Sequence, residues 1–132
     1  MLANYLKKIR TDRLLSESAR ASAVSNLGAN WEYSNGALHK KFLFPSYEGA
    51  NNFMLRYNNY CSKINRKPKW QNVFNGVTIT LTDDEFNDIT TKEIEVAKYL
   101  EDVYEVTLNF EEWLAKDLFE SANIMLPQVK QP

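Results

Sequence analysis

The stretch 70–81, with the sequence WQNVFNGVTITL, decides the fold of this 132-residue chain. Its Asn75-Gly76 pair stands between two runs of β-prone residues, and both residue types tolerate the positive φ angles of a type I′ turn. From residue 77 onward, apolar side chains alternate with threonines. The stretch therefore predicts a β-hairpin whose second strand has one apolar face and one wetter face.

A second Asn-Gly pair lies upstream, where Asn35-Gly36 joins residues 31–33 to residues 38–44. Two hairpins supply four antiparallel strands. Between them, after Ser46 as a candidate cap, apolar residues recur at spacings of three and four, which is typical of an amphipathic helix of about five turns packed on the sheet. Its predicted inner side chains are Tyr47, Ala50, Phe53, Met54, Tyr57, Cys61 and Ile64.

Helices are also predicted at both ends of this core. Ser16 is a candidate cap for a helix that Gly28 ends. After the acidic loop 83–88, Thr90 or Thr91 can cap another helix, whose predicted inner side chains are Ile94, Ala97, Leu100 and Tyr104. The predicted fold class is therefore α+β, a four-stranded antiparallel sheet with helices packed on one face.

An extra C-terminal helix is predicted from Asn109, which Glu112 follows in the pattern of a capping box. Its apolar face would hold Phe110, Trp113, Leu114 and Leu118. We accordingly divide the chain into a basic N-terminal extension (1–14), a core domain (15–104) and a C-terminal helical extension and tail (105–132).

Composition bounds the class of protein. Hydrophobic residues make up 44% of the chain and charged residues 25%, with only 4 Gly and 4 Pro, which favours one globular domain over a disordered or collagen-like chain. No run approaches the roughly 20 apolar residues of a transmembrane helix. The single Cys61 cannot close an intrachain disulfide and has no partners at zinc spacing, so we expect a reducing compartment and no metal.

Charge is unevenly distributed although the net charge is −1. Residues 1–82 carry twelve basic and four acidic groups, whereas residues 83–120 carry three basic and thirteen acidic groups. Such a polar molecule offers two different contact faces or two solvated surfaces, and it is unlike a dedicated nucleic-acid binder, which is usually basic overall.

The basic N-terminal extension has two interpretations. Its cations are accompanied by Leu2, Leu6 and Ile9 at helical spacing, which suits either an organelle-targeting presequence or a basic helix lying on a partner. If the extension is a targeting presequence, a mitochondrial location is expected; otherwise the protein would be cytoplasmic.

Three sequence motifs carry a family resemblance. Gly28 followed by Trp31, the run 42–47 (FLFPSY) and the run 68–74 (PKWQNVF) resemble the Gly-Trp, Phe-x-Phe and Pro-x-Trp-x-Asn-Val-Tyr motifs of the pterin-4a-carbinolamine dehydratases. The resemblance covers residues 28–103. It implies a small α+β domain with a four-stranded antiparallel sheet and helices on one face, often dimeric or tetrameric.

The resemblance also implies a site. Enzymes of this family remove water from a 4a-hydroxytetrahydropterin with a His-His-Pro turn and a third histidine after the second hairpin, because imidazoles exchange protons near working pH. Here the turn reads Arg66-Lys67-Pro68, and Asp84 stands at the third position. Glu93 retains a family acidic position. The single histidine, His39, lies in the first hairpin, away from that turn.

We therefore expect no catalytic residues and no cofactor. The predicted function is a non-catalytic, pterin dehydratase-like accessory subunit of a larger, mitochondrial protein complex, with other protein subunits as partners and a homodimer through the family sheet as a further option; nucleic acid is not expected. The alternative is an active or residual 4a-hydroxytetrahydrobiopterin dehydratase, of tetrahydrobiopterin recycling, that uses Asp84, Glu93 or a water. Predicted binding residues are Pro68, Lys69, Trp70, Phe74 and Trp113.

Overall fold

The computed structural model describes residues 12–28 and 30–125, except for the side chains of residues 115 and 118–125. Most of the predicted N-terminal arm, the side chain of Leu118 and the tail 126–132 lie outside these described parts. Three helices and four strands follow in the order α1 (Glu17–Asn26), β1 (Glu32–Ser34), β2 (Ala37–Leu43), α2 (Tyr47–Ile64), β3 (Trp70–Val73), β4 (Gly76–Leu81) and α3 (Thr91–Met125).

The strands form one open antiparallel sheet in the order β1-β2-β4-β3. Ser16 and Ser46 cap α1 and α2 through their side-chain oxygens, as predicted. The predicted α+β class is confirmed. None of the helices within the described residues is long and apolar enough to cross a membrane.

The first hairpin forms as predicted. Asn35 and Gly36 have φ angles of 51° and 74°, and Ser34 pairs with Ala37 across the two-residue turn. Trp31 lies just before β1 rather than in the strand, but its ring is buried edge-on against Phe42, with 5.9 Å between ring centroids.

The second hairpin turns one residue earlier than predicted. Gly76 pairs with both Val73 and Leu43 and so begins β4, which leaves Phe74 and Asn75 as the turn. Phe74 takes the positive φ angle, 54°. The turn is fixed because the side-chain amide of Asn72 donates to the carbonyl oxygens of Phe74 and Gly76, at 3.0 and 2.9 Å.

The core lies between the sheet and the two longer helices. Phe42 on β2, Phe53 on α2 and Tyr104 on α3 are in mutual ring contact, with centroids 4.8–6.3 Å apart. The Tyr104 hydroxyl donates to the carbonyl oxygen of Leu43 at 2.7 Å, which attaches α3 to the end of β2. Of the predicted inner residues of α2, Tyr47 is an exception because it is exposed.

A lysine sits on the buried face of the sheet. Because side chains alternate along β2, Lys40 points to the same face as Leu38 and Phe42. Its ammonium lies 2.5 Å from the Glu101 carboxylate, which also accepts a hydrogen bond from the Trp31 indole at 2.9 Å. Glu101 on α3 thus balances the positive charge of Lys40, which would otherwise be unpaired on the buried face of the sheet.

The last helix is continuous, so the prediction of a separate helix beginning at Asn109 is wrong. No Gly or Pro interrupts residues 91–125, and α3 runs through all of them. The Glu112 side chain is exposed. Glu111 instead anchors this part of α3 to α2: it accepts a hydrogen bond from Ser46, and its carboxylate occupies the space in which a Cβ on Gly49 would lie.

Two contacts attach the segment before α1 and the loop after β4. Backbone hydrogen bonds join Arg13 to Thr91 and Leu15 to Ile89. In the loop, the Tyr33 hydroxyl donates to Asp88 at 2.6 Å, and this bond, with smaller contributions from the Ile89 amide and Arg20, lowers the pKa of the Asp88 carboxyl.

Substitution of Gly36 by Ala should destabilise the protein more than the same change at Gly28. Both residues have φ angles that L-residues disfavour by about 1–2 kcal/mol. A Cβ on Gly36 would also lie 2.3 Å from the backbone oxygen of Asn87, whereas one on Gly28 meets nothing within 4 Å. We expect an additional loss of about 1–3 kcal/mol for Gly36→Ala. Unfolding free energies from urea titration check this, and equal losses would contradict the close approach.

Candidate functional site

The end of α2 places Arg66. Asn65 takes a left-handed conformation (φ 57°) directly after the helix, and the Arg66 amide donates to the Cys61 carbonyl oxygen at 2.9 Å. This is a common way for a helix to stop, because the left-handed residue turns the chain back over the last carbonyl groups. The Arg66 side chain consequently lies against the acidic loop and the start of α3.

Three carboxylates surround the Arg66 guanidinium. Its two terminal nitrogens lie 2.6 Å from Asp12 and 2.7 Å from Asp83, and Nε lies 3.7 Å from Glu93. The residues Asp83 and Glu93 are only 2% and 3% exposed. Burial alone would lower the pKa of Arg66, but the carboxylates more than offset it and hold the pKa above its ordinary value. Arg66 is therefore a permanent cation here.

These carboxylates are also fixed from other sides. Asp83 accepts hydrogen bonds from the backbone amides of Glu85 and Phe86, both at 3.0 Å. Glu93 accepts from the Thr90 amide at 2.7 Å, and the Thr90 hydroxyl accepts in turn from the amide of Lys92. This reciprocal arrangement is a capping box at the start of α3. The buried polar groups around Arg66 therefore satisfy one another.

A cavity of about 240 Å³ lies beside this cluster. It brings together Arg66, Lys67 and Asp84, the three positions at which the resemblance implies replaced histidines, and Glu93, the acidic position that the resemblance implies is retained. Glu93 is buried there, rather than exposed at a helix start. The remaining wall is formed by the side chains and backbone of Tyr57, Cys61, Asn65, Thr80, Leu81, Thr82, Asp83, Glu85 and Val96.

Two titratable groups in that wall are poor proton donors at neutral pH. Burial raises the pKa of the Tyr57 hydroxyl and that of the Cys61 thiol. Both groups therefore stay protonated near pH 7, and the Tyr57 hydroxyl oxygen accepts a hydrogen bond from the Lys69 amide at 3.4 Å. Neither group is positioned to replace an imidazole that exchanges protons at working pH.

The predicted binding residues do not join the cavity. Pro68, Lys69 and Trp70 line a different hollow, together with His39. Lys69 pairs with Asp84, and the Trp70 indole donates to Asn58 at 3.0 Å. Two further residues lie elsewhere: Phe74 is 70% exposed at its turn, stacked on Tyr47, and Trp113 is on the distal part of α3.

His39 is not in the wall of the cavity. Its side chain lies on the sheet face away from the helices, with Nδ1 3.3 Å from the hydroxyl of Thr80, which does line the cavity. His39 lines the hollow of Pro68 and Lys69 instead.

Sequence reasoning missed Asp12 and Asp83 as partners of Arg66, and it did not link Thr90 to Glu93. Thr90-x-x-Glu93 is a capping-box pattern, so Thr90 and Glu93 could have been linked from their spacing. Asp12 gives no such signal, because the Arg66 side chain to which it binds is 54 residues away in the sequence.

These features define the class as a small α+β protein with a polar cavity between the end of its second helix and the start of its third. The family model for pterin 4 alpha carbinolamine dehydratase matches residues 13–103, more than half of the chain. The chain belongs to that family, and the predicted resemblance is confirmed. The match ends within α3, so residues 104–125 of this helix extend beyond it.

Individual proteins with this family description are also similar to the chain. The chain is 33% identical, over 89 residues, to a "putative pterin-4-alpha-carbinolamine dehydratase" of Rhizorhabdus wittichii, covering 66% of this chain and 91% of that protein. It is 36% identical, over 87 residues, to a protein of the same description from Solibacter usitatus, covering 66% and 90%. A solved structure from Brucella melitensis, described as a transcriptional coactivator/pterin dehydratase, is 27% identical with a TM-score of 0.65, over 68% of this chain and 97% of that one.

Removal of the Arg66 guanidinium should destabilise the protein in a pH-dependent way. In Arg66→Ala, three carboxylates remain together without a cation, which we expect to cost about 2–4 kcal/mol at pH 7.5. Like charges favour protonation in the folded variant, so it binds more protons than its unfolded chain and the loss shrinks as the pH falls to 5.

Lys69→Ala is the matched control, because it removes a cation of the same turn whose pair with Asp84 is largely exposed. Its loss should stay below about 1 kcal/mol. Urea unfolding of both variants and wild type at pH 7.5 and 5 tests the comparison. Similar, pH-independent losses for the two variants would show that Arg66 is not the centre of a buried network.

Proposed function

We propose that this chain is a non-catalytic member of its family that serves as an accessory subunit of a larger protein assembly. The single observation that carries the proposal is the Arg66 guanidinium, which lies at a position where the resemblance implies a histidine and is bound by Asp12, Asp83 and Glu93. These four side chains are already engaged with one another.

The chemistry of dehydration supports this proposal. The reaction needs one group that protonates the leaving hydroxyl and another that accepts the proton from N5. Arg66 cannot lose its proton near neutral pH. Glu93 is occupied by the Thr90 amide and hydroxyl and by Arg66, so it has little freedom to exchange a proton with a substrate.

A residual dehydratase remains the second candidate, because the cavity persists and Asp84 lies at its wall. The Asp84 side chain is 62% exposed and pairs with Lys69. A carboxylate paired with an ammonium can serve as a proton acceptor, but it does not by itself supply the group that protonates the leaving hydroxyl. This candidate therefore requires a water or the substrate itself as the acid.

An accessory role requires a contact surface. The basic turn is less available for an acidic partner than the sequence suggested, since two of its cations, Arg66 and Lys69, are paired within the chain. Exposed apolar residues on α3 offer a more suitable surface. The Brucella melitensis neighbour, with coactivator and dehydratase in one description, supports a binding role for this fold.

A mitochondrial location belongs to the same proposal. It rests on the basic, amphipathic composition of residues 1–14. Import of the full chain into isolated mitochondria tests it, and a chain that stays outside and protease-sensitive would contradict it.

The dehydration of a 4a-hydroxytetrahydropterin should proceed at the uncatalysed rate in the presence of the purified full chain. The physical reason is that Arg66 and Glu93, in the cavity wall, are bound to each other and to neighbouring groups, so neither is available as the acid or the base. Stopped-flow absorbance measures the rate, with Asp84→Ala beside the wild type and Asp102→Ala as a control carboxylate on the exposed side of α3. An acceleration of tenfold or more that only Asp84→Ala abolishes would favour the residual dehydratase.

A further inference from the structure

Exposed apolar side chains form a surface across two helices. Leu55 of α2 and Val106, Phe110, Trp113 and Leu114 of α3 are between 39% and 58% exposed. We call this surface the α2/α3 face. Its α3 residues all lie beyond residue 103, where the family match ends, so the face is largely a feature of this chain's extension.

The α2/α3 face is shaped as a trough. One groove of about 360 Å³ lies between Leu55 and Arg56 of α2 and Val106 of α3. A second groove of about 690 Å³ lies on the other side of Phe110, with Leu114 in its wall. The two grooves share Asn52 and Phe110, so they follow one another along the helices. A long apolar trough between two helices fits the apolar side of a third helix.

The trough is held in place by polar contacts beneath it. Ser46, at the start of α2, donates to the Glu111 carboxylate, which also packs over Gly49. Thr107 donates to the carbonyl oxygen of Val103 within α3. The contact between Ser46 and Glu111 fixes this part of α3 against α2, so the surface exists before a partner arrives. Preformed surfaces lose less conformational entropy on binding.

Charge around the trough selects the occupant. The charged residues that line the two grooves are one cation, Arg56, and three acids, Glu48, Glu111 and Glu112. A second copy of the chain would bring two surfaces with an excess of acids together, which repel each other. A partner with basic residues beside its apolar side would be attracted instead.

We propose that the α2/α3 face binds an amphipathic helix of another protein, with apolar residues along one side and Lys or Arg on its flanks. The inference deepens the accessory role proposed above by giving the chemistry of the partner. Apolar side chains at i, i+3, i+4 and i+7 would enter the two grooves, and the basic flanks would face the acids of α3.

Two synthetic probe helices test this directly. They share the same Leu and Ala residues at the apolar positions and carry either Lys or Glu at all flanking positions. Fluorescence anisotropy of the labelled peptides with the full chain measures their affinities. We expect the Lys peptide to bind with one peptide per chain, at least tenfold more tightly than the Glu peptide at low salt, and to weaken as salt screens the charges.

Three variants locate the binding. Phe110→Glu and Val106→Glu place a charge in the trough and should weaken Lys-peptide binding at least tenfold. Val73→Glu is the matched control, because Val73 is an apolar residue that is 80% exposed on the edge strand β3, away from the trough. Circular dichroism confirms that each variant is folded before its affinity is compared.

Each other outcome would overturn the proposal. Equal affinities for the Lys and Glu peptides would remove the charge argument, and binding that survives in folded Phe110→Glu would place the peptide elsewhere. A wild-type dimer in sedimentation analysis that Phe110→Glu dissociates would assign the face to a second copy. The result is independent of the dehydration assay, because an active enzyme could still bind the peptide and an inactive chain could fail to bind it.

Discussion

The ion pairs of Arg66 hold together parts of the chain that are distant in the sequence. Asp12 comes from the segment before α1, Asp83 from the loop after β4, and Glu93 from the first turn of α3. Desolvating these groups is costly, and the cost is offset because every carboxylate also accepts other hydrogen bonds. The residues that make these stabilising contacts, Arg66, Asp83 and Glu93, also line the cavity in which the family resemblance implies catalytic histidines.

Much of the fold follows from local rules. The Asn35-Gly36 turn, the serine caps and the spacing of apolar residues in α2 each involve residues a few positions apart, so the sequence predicts them well. The second turn is different. Gly76 pairs with Leu43 of β2 on one side and with Val73 of β3 on the other. Because Gly76 therefore belongs to β4, the turn moves onto Phe74 and Asn75. Pairing across a sheet cannot be deduced from an Asn-Gly pair alone.

The contacts at the site that the sequence did not predict also join residues that are distant in the sequence. The positions at which the resemblance implies histidines, including Arg66 and Asp84, could be named from the sequence, but their partners could not, because Asp12 is 54 residues from Arg66. Lys40 similarly has an inward position only because Glu101 faces it from α3. The separate C-terminal helix was predicted from a capping pattern at Asn109. The residues before Asn109 include Val and Thr, which are weak helix formers, but tertiary contacts of Tyr104 and Glu111 hold the helix on both sides of that position.

The cluster around Arg66 also separates the two parts of the molecule by role. Near the cavity, the groups are mutually satisfied and rigid, which suits structural stability. On the distal part of α3, apolar side chains remain exposed along a fixed trough, which suits recognition. Two acids of the C-terminal half, Glu111 and Glu112, line that trough together with Glu48 of α2. The family domain thus provides a stable base, and the extension beyond residue 103 provides the surface specific to this chain.

The central claim is that the Arg66 cluster has taken the place of a pterin site. Isothermal titration of the full chain with a stable pterin, such as 7,8-dihydrobiopterin, tests it most directly. We predict no saturable heat up to millimolar ligand, because Arg66, Asp83 and Glu93 in the cavity wall are bound to one another. Saturable one-to-one binding in the micromolar range, weakened by Asp84→Ala, would contradict the account and show that the cavity still accepts the family's ligand.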